Sequence, residues 1–285
     1  MKDRIDPLIE ERAPWLFSSK PFARTARAAL DLLLGYETTV ALAESFKYTP
    51  AGEVMDTMAE LLAHDVRLRG LGHIPRRGPA LLVANHPTGI ADGIMLHHAL
   101  QGIRDDAYFF ANSDILRVLP QFSDRIVPVE WRPEKRSHAK ARDTMLAARA
   151  AVKAGRLGVI FPSGRLAKRR GLKLHERPWM ASAAMIARKY DLPVIPVNIR
   201  ARNSALFYIF DRIHPSLRDV TLFHETLNKA RQPYVITAGA PIAARALPAA
   251  SDEAIEVLRA ATLALGGRHA PNVSLVDSTR RPGWA

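Results

Sequence analysis

The sequence predicts an α/β fold with a mostly parallel central sheet, flanking helices and an N-terminal helical segment. Short apolar runs of strand length, bounded by turn residues, recur between longer stretches in which apolar residues follow helical spacing. This alternation is typical of βαβ units, because parallel strands need a crossover that a helix usually supplies. The chain has 285 residues and is 48% hydrophobic, so it is long enough to bury one or two cores.

The individual elements are predicted in chain order from these patterns. Helices are expected over residues 14–34 and 52–68, from about residue 90, and over residues 139–153 and 178–190. Strands are expected at residues 79–85, 107–111, 125–129, 157–161, 194–199 and 234–238. The chain then divides into an N-terminal helical segment (1–69), an α/β domain (70–250) and a C-terminal helix with a loose tail (251–285).

Composition and charge exclude several kinds of chemistry. The chain has no cysteine, which removes disulfides, thiolate nucleophiles and thiolate metal sites, and no histidine spacing suits a metal ion. We therefore expect neither a metal nor another bound cofactor. Lys and Arg number 41 against 28 Asp and Glu, and the resulting formal net charge of +13 predicts an anionic partner.

The N-terminal region has the composition of a segment that contacts a membrane surface. Within residues 14–34, aromatic side chains lie beside basic ones: Trp15, Phe17 and Phe22 beside Lys20, Arg24 and Arg27. A helix that packs on the body of the protein has the same pattern. One face of such a helix can pack on the protein while the opposite face contacts a membrane. The longest run without polar residues is about six, at residues 205–210, whereas a span needs about 20. The sequence predicts a cytoplasmic protein, without a secretory signal, that is peripheral on the inner face of an anionic membrane.

A histidine and a carboxylate lie on a tight strand-to-helix connection at residues 84–93. His86 follows the apolar run at residues 79–85, and Asp92 falls at the start of the next predicted helix. A carboxylate beside a histidine fixes its tautomer and stabilises the imidazolium, which makes the ring a usable general base. The carboxyl ends of parallel strands also face the ligand crevice. His86 and Asp92 are therefore candidate catalytic residues; the alternative is a turn histidine that satisfies its own backbone.

Three ordered blocks resemble the glycerophospholipid acyltransferase family. They are Asn85-His86 with Asp92, Phe161-Pro162-Ser163-Gly164-Arg165, and Val194-Ile195-Pro196-Val197, and the resemblance covers roughly residues 70–245. It implies transfer of a fatty acyl group from acyl-coenzyme A or acyl carrier protein to the hydroxyl of a lysolipid. It also implies that His86 is the base, that Asp92 is its partner, and that the acyl thioester is a substrate rather than a cofactor.

Two positions depart from the commonest pattern of that family. Five residues separate His86 from Asp92 where four are usual, and Ser163 stands where glutamate is usual. Both features are similar to the branch that includes lyso-ornithine lipid and haemolysin-like acyltransferases. In the family block, that glutamate and the residues after it resemble the part that binds glycerol phosphate. Because Ser163 replaces the glutamate here, the expected acceptor is either lysophosphatidate or an amino-acid lysolipid such as lyso-ornithine lipid.

Substrate binding is expected from these blocks and from the basic cluster that follows them. This cluster comprises Arg165, Lys168, Arg169, Arg170 and Lys173, whose cationic groups suit phosphates and lipid headgroups. A solvated loop would carry the same charges. The substrate-binding candidates are Asn85, Arg132, Phe161, Pro162, Ser163, Gly164, Arg165, Lys168 and Arg169.

Two other functions compete with acyl transfer. A serine lipid hydrolase would use Ser163, His86 and a carboxylate, but no Gly-x-Ser-x-Gly elbow surrounds Ser163. A nucleic-acid-binding protein would also explain the positive charge. Against it, the sequence has no helix-turn-helix, zinc finger or aromatic-rich recognition strand. Labelling of Ser163 by a fluorophosphonate would identify a hydrolase. Nucleic-acid binding that survives loss of the basic residues between Arg165 and Lys173 would identify a nucleic-acid-binding protein.

Overall fold

A seven-stranded, mostly parallel sheet lies at the centre of the protein and confirms the predicted fold class. The computed structural model describes residues 1–130, 137–270 and 272–275. In chain order the strands are β1 (Val66–Arg69), β2 (Ala80–Ala84), β3 (Tyr108–Asn112), β4 (Ile126–Val129), β5 (Leu157–Ile160), β6 (Lys168–Arg170), β7 (Lys173–His175), β8 (Val194–Arg200), β9 (Tyr234–Ala238) and β10 (Asn272–Ser274). The central sheet has the order β1-β9-β8-β2-β5-β3-β4, and β10-β7-β6 form a second, antiparallel sheet.

Strand direction changes once across the central sheet. Strands β8, β2, β5, β3 and β4 are parallel to one another. Strand β9 pairs antiparallel with β8 and parallel with β1, so β9 and β1 run the opposite way. As a result, the first residue of β9 lies at the sheet edge where β8 and β2 end.

Helices cover both faces of the sheet and build the N-terminal region. They are α1 (Lys2–Arg12), α2 (Pro21–Leu34), α3 (Tyr36–Ser45), α4 (Ala51–Leu62), α5 (Ile90–Leu100), α6 (Asp114–Val118), α7 (His138–Lys153), α8 (Ser182–Lys189), α9 (Ala205–Ile213), α10 (Pro215–Val220), α11 (Leu222–Leu227) and α12 (Ser251–Ala264). Among the described residues, no helix is both long enough and apolar enough to cross a bilayer.

The apolar run of β2 is explained by burial on both faces of the sheet. Side chains alternate along a strand, so Leu82 points to one face and Leu81 to the other. Leu82 packs in the same core as Met95 of α5. Leu81 belongs to a second core, which includes Ala184 of α8 and Leu258 of α12. A strand covered on both faces reads as a continuous apolar run rather than an alternating one.

The N-terminal helices form a core of their own against the segment around α6. Ile5 and Leu8 of α1 pack with Val54 of α4 and with Phe122. Arg12 adds an ion pair to Asp114 at 2.6 Å. These contacts attach the N-terminal helices to the body of the protein.

The aromatic side chains of the N-terminal region do not share one exposed face. Trp15 is half-buried and donates from Nε1 to Ser216 Oγ at 3.1 Å, and the Arg27 guanidinium lies 4.0 Å from the centre of the half-buried Phe17 ring. Phe22 is 76% exposed on α2, together with Leu32 (86%) and Leu33 (52%). Of the three aromatic residues, Phe22 is therefore the exposed one, and it shares α2 with the exposed Leu32 and Leu33.

Some elements differ from the sequence prediction. The helix expected to reach residue 68 ends at Leu62, and Val66–Arg69 form β1 instead. The alternation of Val66 and Leu68 with two arginines suits a strand better than a helix. Within the stretch expected as a loose tail, Asn272–Ser274 form β10 against β7. The rest of that stretch, residues 271 and 276–285, lies outside the described residues.

Candidate active site

The predicted site residues lie at the carboxyl edge of the parallel strands. Strands β2 and β5 pair in register through Val83 and Ile160, so the residues that follow them, including Phe161, leave the sheet side by side. Strand β8 ends at the same edge, where Arg200 pairs with Val235 of the antiparallel β9. This edge is where open α/β sheets bind ligands.

His86 and Asp92 form a direct hydrogen-bonded pair. The His86 Nδ1 atom lies 2.9 Å from Asp92 Oδ2. The imidazole retains 17% exposure, whereas the Asp92 side chain is fully buried. Because an ionised carboxylate only accepts hydrogen bonds, Nδ1 carries the proton and Nε2 keeps its lone pair. Among the described residues, Nε2 has no hydrogen-bond partner, so it is available to a substrate.

Asp92 is held by the turn that precedes its own helix. Its Oδ2 accepts the backbone N–H groups of Thr88 at 2.9 Å and Gly89 at 3.0 Å, and Oδ1 accepts the Thr88 hydroxyl at 2.5 Å. The turn favours glycine, since Gly89 has φ 100°, a backbone conformation that residues with a Cβ rarely adopt. The five-residue spacing thus gives the carboxylate three donors besides the imidazole.

Phe161 fixes the plane of the imidazole from the neighbouring strand. The two rings stack with centroids 4.2 Å apart and planes inclined by 23°. Phe161 directly follows β5, so the stack depends on the pairing of β2 with β5. Together with Asp92, it limits both the tilt and the rotation of the His86 ring.

The Phe-Pro-Ser-Gly-Arg block turns the chain into a basic hairpin beside the catalytic motif. Gly164, at φ 57°, donates its N–H to the Phe161 carbonyl at 2.9 Å and closes the turn. Ala167 then donates to the His86 carbonyl at 2.9 Å, immediately before β6. We call β6, β7 and the turn at Gly171 the basic hairpin. It carries exposed cationic side chains at Lys168, Arg169, Arg170 and Lys173.

The other predicted substrate residues occupy different environments. Asn85 exchanges two hydrogen bonds with the backbone of Ile199, at 2.8 and 2.7 Å. We therefore propose that Asn85 joins β2 to β8 rather than contacting substrate. Pro162 is buried, Arg165 is exposed, and Arg132 lies outside the described residues. The Ser163 hydroxyl donates to the carbonyl of Arg165 at 2.8 Å, and no described hydrogen bond joins it to His86.

Two residues of the site were missed by sequence reasoning. Glu176 accepts from the His86 backbone N–H at 3.3 Å and from the Trp179 indole at 2.9 Å, and burial raises the pKa of its carboxyl. Tyr234 contacts the Thr88 hydroxyl at 2.6 Å. Neither has a sequence signal, because they lie 90 and 146 residues along the chain from their partners. The described residues include no cluster of three His, Asp or Glu side chains suited to a metal ion.

Comparisons with known proteins find similar sequences and one similar structure. A model of the acyltransferase family matches residues 65–200. Lyso-glycine lipid O-acyltransferases from Phocaeicola vulgatus and Bacteroides thetaiotaomicron are 23% and 22% identical over 196 residues, which cover 67% of this chain and 68% and 70% of theirs. The crystal structure of the 1-acyl-sn-glycerophosphate (LPA) acyltransferase PlsC from Thermotoga maritima aligns with a TM-score of 0.49 and 14% identity, covering 95% of this chain and 98% of that one.

The family model gives the class of the domain that contains the site. Residues 65–200, which contain His86, Asp92 and the Phe-Pro-Ser-Gly-Arg block, are an acyltransferase domain. The chain is an O-acyltransferase, and its match to the acyltransferase family model covers this domain.

Proposed function

We propose that the protein transfers a fatty acyl group from an acyl thioester to the hydroxyl of a lysolipid with an amino-acid headgroup, with His86 as general base. The observation that carries this proposal is the His86–Asp92 pair, stacked on Phe161, with Nε2 available at the edge of the sheet. The names of the two bacterial relatives support an amino-acid lysolipid as acceptor. Ser163 in place of the usual glutamate also favours this acceptor over lysophosphatidate.

The proposed reaction is a direct transfer without an acyl-enzyme. His86 Nε2 takes the proton of the acceptor hydroxyl as the oxygen forms a bond to the thioester carbonyl carbon. Asp92 stabilises the imidazolium that results. When the carbon–sulfur bond breaks, the thiolate of the donor takes the proton from Nε2, which regenerates neutral His86. General-base catalysis of this kind contributes about 10²- to 10⁴-fold to the rate.

A product assay tests this function. Purified protein is incubated with labelled acyl-coenzyme A or acyl carrier protein and with lyso-glycine lipid, lyso-ornithine lipid or lysophosphatidate in turn. We expect an O-acylated amino-acid lipid, identified by mass spectrometry. Exclusive acylation of lysophosphatidate would refute the proposed acceptor, and free fatty acid with a fluorophosphonate adduct on Ser163 would favour a hydrolase.

The basic hairpin supports recognition of an anionic group. Its base is bonded to the His86 carbonyl through Ala167, so the hairpin begins beside the His86–Asp92 pair. Arg169 is further ordered by the Tyr208 ring, 5.7 Å from the guanidinium carbon. We propose that the hairpin binds the carboxylate of the acceptor or a phosphate of the donor.

Charge reversal on the hairpin should weaken substrate binding. Changing Lys168, Arg169 and Arg170 together to Glu is expected to raise KM at least tenfold, because guanidinium and ammonium groups bind anions by charge-assisted hydrogen bonds. Unfolding by urea should change little, since these side chains are exposed. Raising salt should also raise the wild-type KM, because the screening length is about 10 Å at 0.1 M.

A matched control separates this effect from net charge. Arg149, Lys153 and Arg245 are equally exposed cations on other parts of the chain. Lys153 ends α7, and Arg245 follows the bridge between Ile242 and Val194, so both lie toward the opposite edge of the sheet. Their reversal to Glu should leave KM within about twofold of the wild-type value. Equal effects of the two triple variants would show that the hairpin is only a solvated face.

We also propose that α2 holds the protein at an anionic membrane surface. The exposed apolar side chains of α2 are Phe22, Leu32 and Leu33, with Arg24 exposed beside them and Lys20 exposed just before the helix. Apolar burial in the headgroup region and about 1 kcal/mol per basic residue together give reversible binding. Such binding would bring the site to a lipid acceptor that stays in the bilayer.

Liposome sedimentation tests this surface. Changing Phe22, Leu32 and Leu33 together to Ser should release the protein from anionic liposomes and lower activity on bilayer-embedded acceptor, while activity on detergent-dispersed acceptor persists. The half-buried Trp15 provides the contrast, because Trp15→Phe removes its bond to Ser216 and should leave liposome binding unchanged. Unaltered sedimentation of the triple variant would refute the role of α2.

A further inference from the structure

We infer that Tyr234 and Thr88 are positioning residues for acyl transfer, because they form a hydrogen-bond chain that holds Asp92 and, through it, the His86 ring. The chain runs from the Tyr234 hydroxyl to Thr88 Oγ1 at 2.6 Å, and from there to Asp92 Oδ1 at 2.5 Å. Asp92 Oδ2 completes it with the His86 Nδ1 contact at 2.9 Å. The inference rests on the proposed role of His86 as the base.

The chemistry of the groups gives the chain one direction. An ionised carboxylate only accepts, so the single proton of the Thr88 hydroxyl points to Asp92. The Thr88 oxygen must then accept from Tyr234, which makes the phenol the first donor. Burial raises the pKa of Tyr234 well above its ordinary value, so the phenol keeps the proton that it donates. Each donor polarises the next, which strengthens the contact to the carboxylate.

Because the hydrogen-bond chain is buried, water cannot easily take the place of its hydroxyl groups. Thr88 is 2% exposed, and Asp92 and Tyr234 are each 0% exposed. The acceptor positions of Asp92 are divided between its two oxygens. Oδ2 receives the imidazole and two backbone N–H groups, whereas the Thr88 hydroxyl is the donor that reaches Oδ1 among the described residues. Without it, a buried carboxylate oxygen would lose its partner, and the contacts to Oδ2 alone would set the orientation of the carboxylate.

The reversed direction of β9 explains how Tyr234 reaches the motif. Tyr234 is the first residue of β9, one position before the pair of Val235 with Arg200 at the carboxyl edge of β8. Its backbone N–H donates to the carbonyl of Asp65 at 2.8 Å, which fixes the start of the strand. The position of the Tyr234 hydroxyl is therefore set by the sheet, whereas all the described donors to Asp92 itself belong to the segment from His86 to Gly89.

The test removes each hydroxyl with little change of shape. Thr88→Val removes a hydrogen bond to a charged group, and Tyr234→Phe removes the donor that polarises that bond. Each variant should therefore lower kcat about tenfold or more, with KM within about twofold of the wild-type value. The kcat of the double variant should be no lower than that of the less active single variant, because the two residues act as one unit. Thr88→Ser, which restores the hydroxyl, should regain most of the activity.

An NMR signal tests the hydrogen-bond chain independently of catalysis. With ¹⁵N-labelled histidine, the Nδ1–H proton of His86 gives a downfield resonance that should shift in Tyr234→Phe and Thr88→Val. Tyr108→Phe is the matched control, because Tyr108 is buried in the same sheet and its hydroxyl has no partner among the described residues. This variant should keep both the resonance and kcat of the wild type.

Several outcomes of these measurements would overturn the inference about the hydrogen-bond chain. A kcat within twofold of wild type in Tyr234→Phe would overturn the inference, and so would a fall in kcat with an unmoved resonance. Losses that multiply in the double variant would show two separate roles and would overturn it as well. Failure of the proposed function is distinguishable, since it would appear as an active His86→Ala variant while the resonance still reports the wild-type chain.

Discussion

Replacing His86 by alanine should lower kcat by about 10² to 10⁴, which is the contribution expected of a general base. The ring has little packing to lose, because it is a partly exposed cleft side chain whose main apolar contact is the Phe161 stack. We therefore expect the midpoint of thermal unfolding to fall by no more than a few degrees. Steady-state kinetics and a thermal melt on the same preparation make the comparison.

Two further variants control this prediction. His98→Ala removes a histidine of α5 whose ring contacts Gln101, so kcat should stay close to the wild-type value. Asp92→Asn keeps the shape of the side chain but replaces an acceptor oxygen by a donor, so substantial activity should be lost with the fold intact. Wild-type turnover by His86→Ala would eliminate the mechanism.

Replacing Lys229 by methionine should destabilise the protein by about 3–5 kcal/mol, because it leaves the charge of Glu225 buried without its partner. The two side chains are 0% and 1% exposed, and Lys229 Nζ lies 3.0 Å from Glu225 Oε2. Burial raises the pKa of Glu225, but the charge of Lys229 and the bonds from Ser204 outweigh it, so the pKa is lowered overall. Urea unfolding of the wild type and the variant measures the difference.

The double variant tests the cause of this loss. Glu225→Gln with Lys229→Met removes both charges, so most of the lost stability should return. Lys2→Met breaks an ion pair to Glu37 that is exposed on both sides, and it should leave the urea midpoint unchanged. A single variant as stable as the wild type would show that the pair contributes nothing to folding.

The sequence predicts the central strands well because each one satisfies a local rule. Strands β2 and β8 are continuous apolar runs bounded by turn residues, as burial on both faces requires. By contrast, the sequence pattern predicts most of β1 as the end of a helix. Four residues with an alternating pattern give little signal beside a long segment with helical spacing. Pairing between distant segments decides such cases.

The catalytic pair was readable from the sequence because its members are six residues apart. The residues that surround it were not readable. Glu176 and Tyr234 reach the motif from other elements, and only the register of the sheets brings them there. The burial of the N-terminal aromatic residues is not visible in the sequence for the same reason, since Trp15 and Phe17 are half-buried in contacts to Ser216 and Arg27. Spacing rules describe neighbours along the chain, not neighbours across the fold.

The attachment of the basic hairpin has a consequence for how this protein can change. His86 and Asp92 are held by the sheet edge and by a turn whose φ of 100° at position 89 favours glycine. The cations instead project from two short strands, which end at an open turn where Gly171 has free space around it. Substitutions there alter the charge presented to a lipid without disturbing the hydrogen bonds to Asp92. Under the proposed role of the hairpin, headgroup preference can therefore change by substitution there while His86 and Asp92 stay the same.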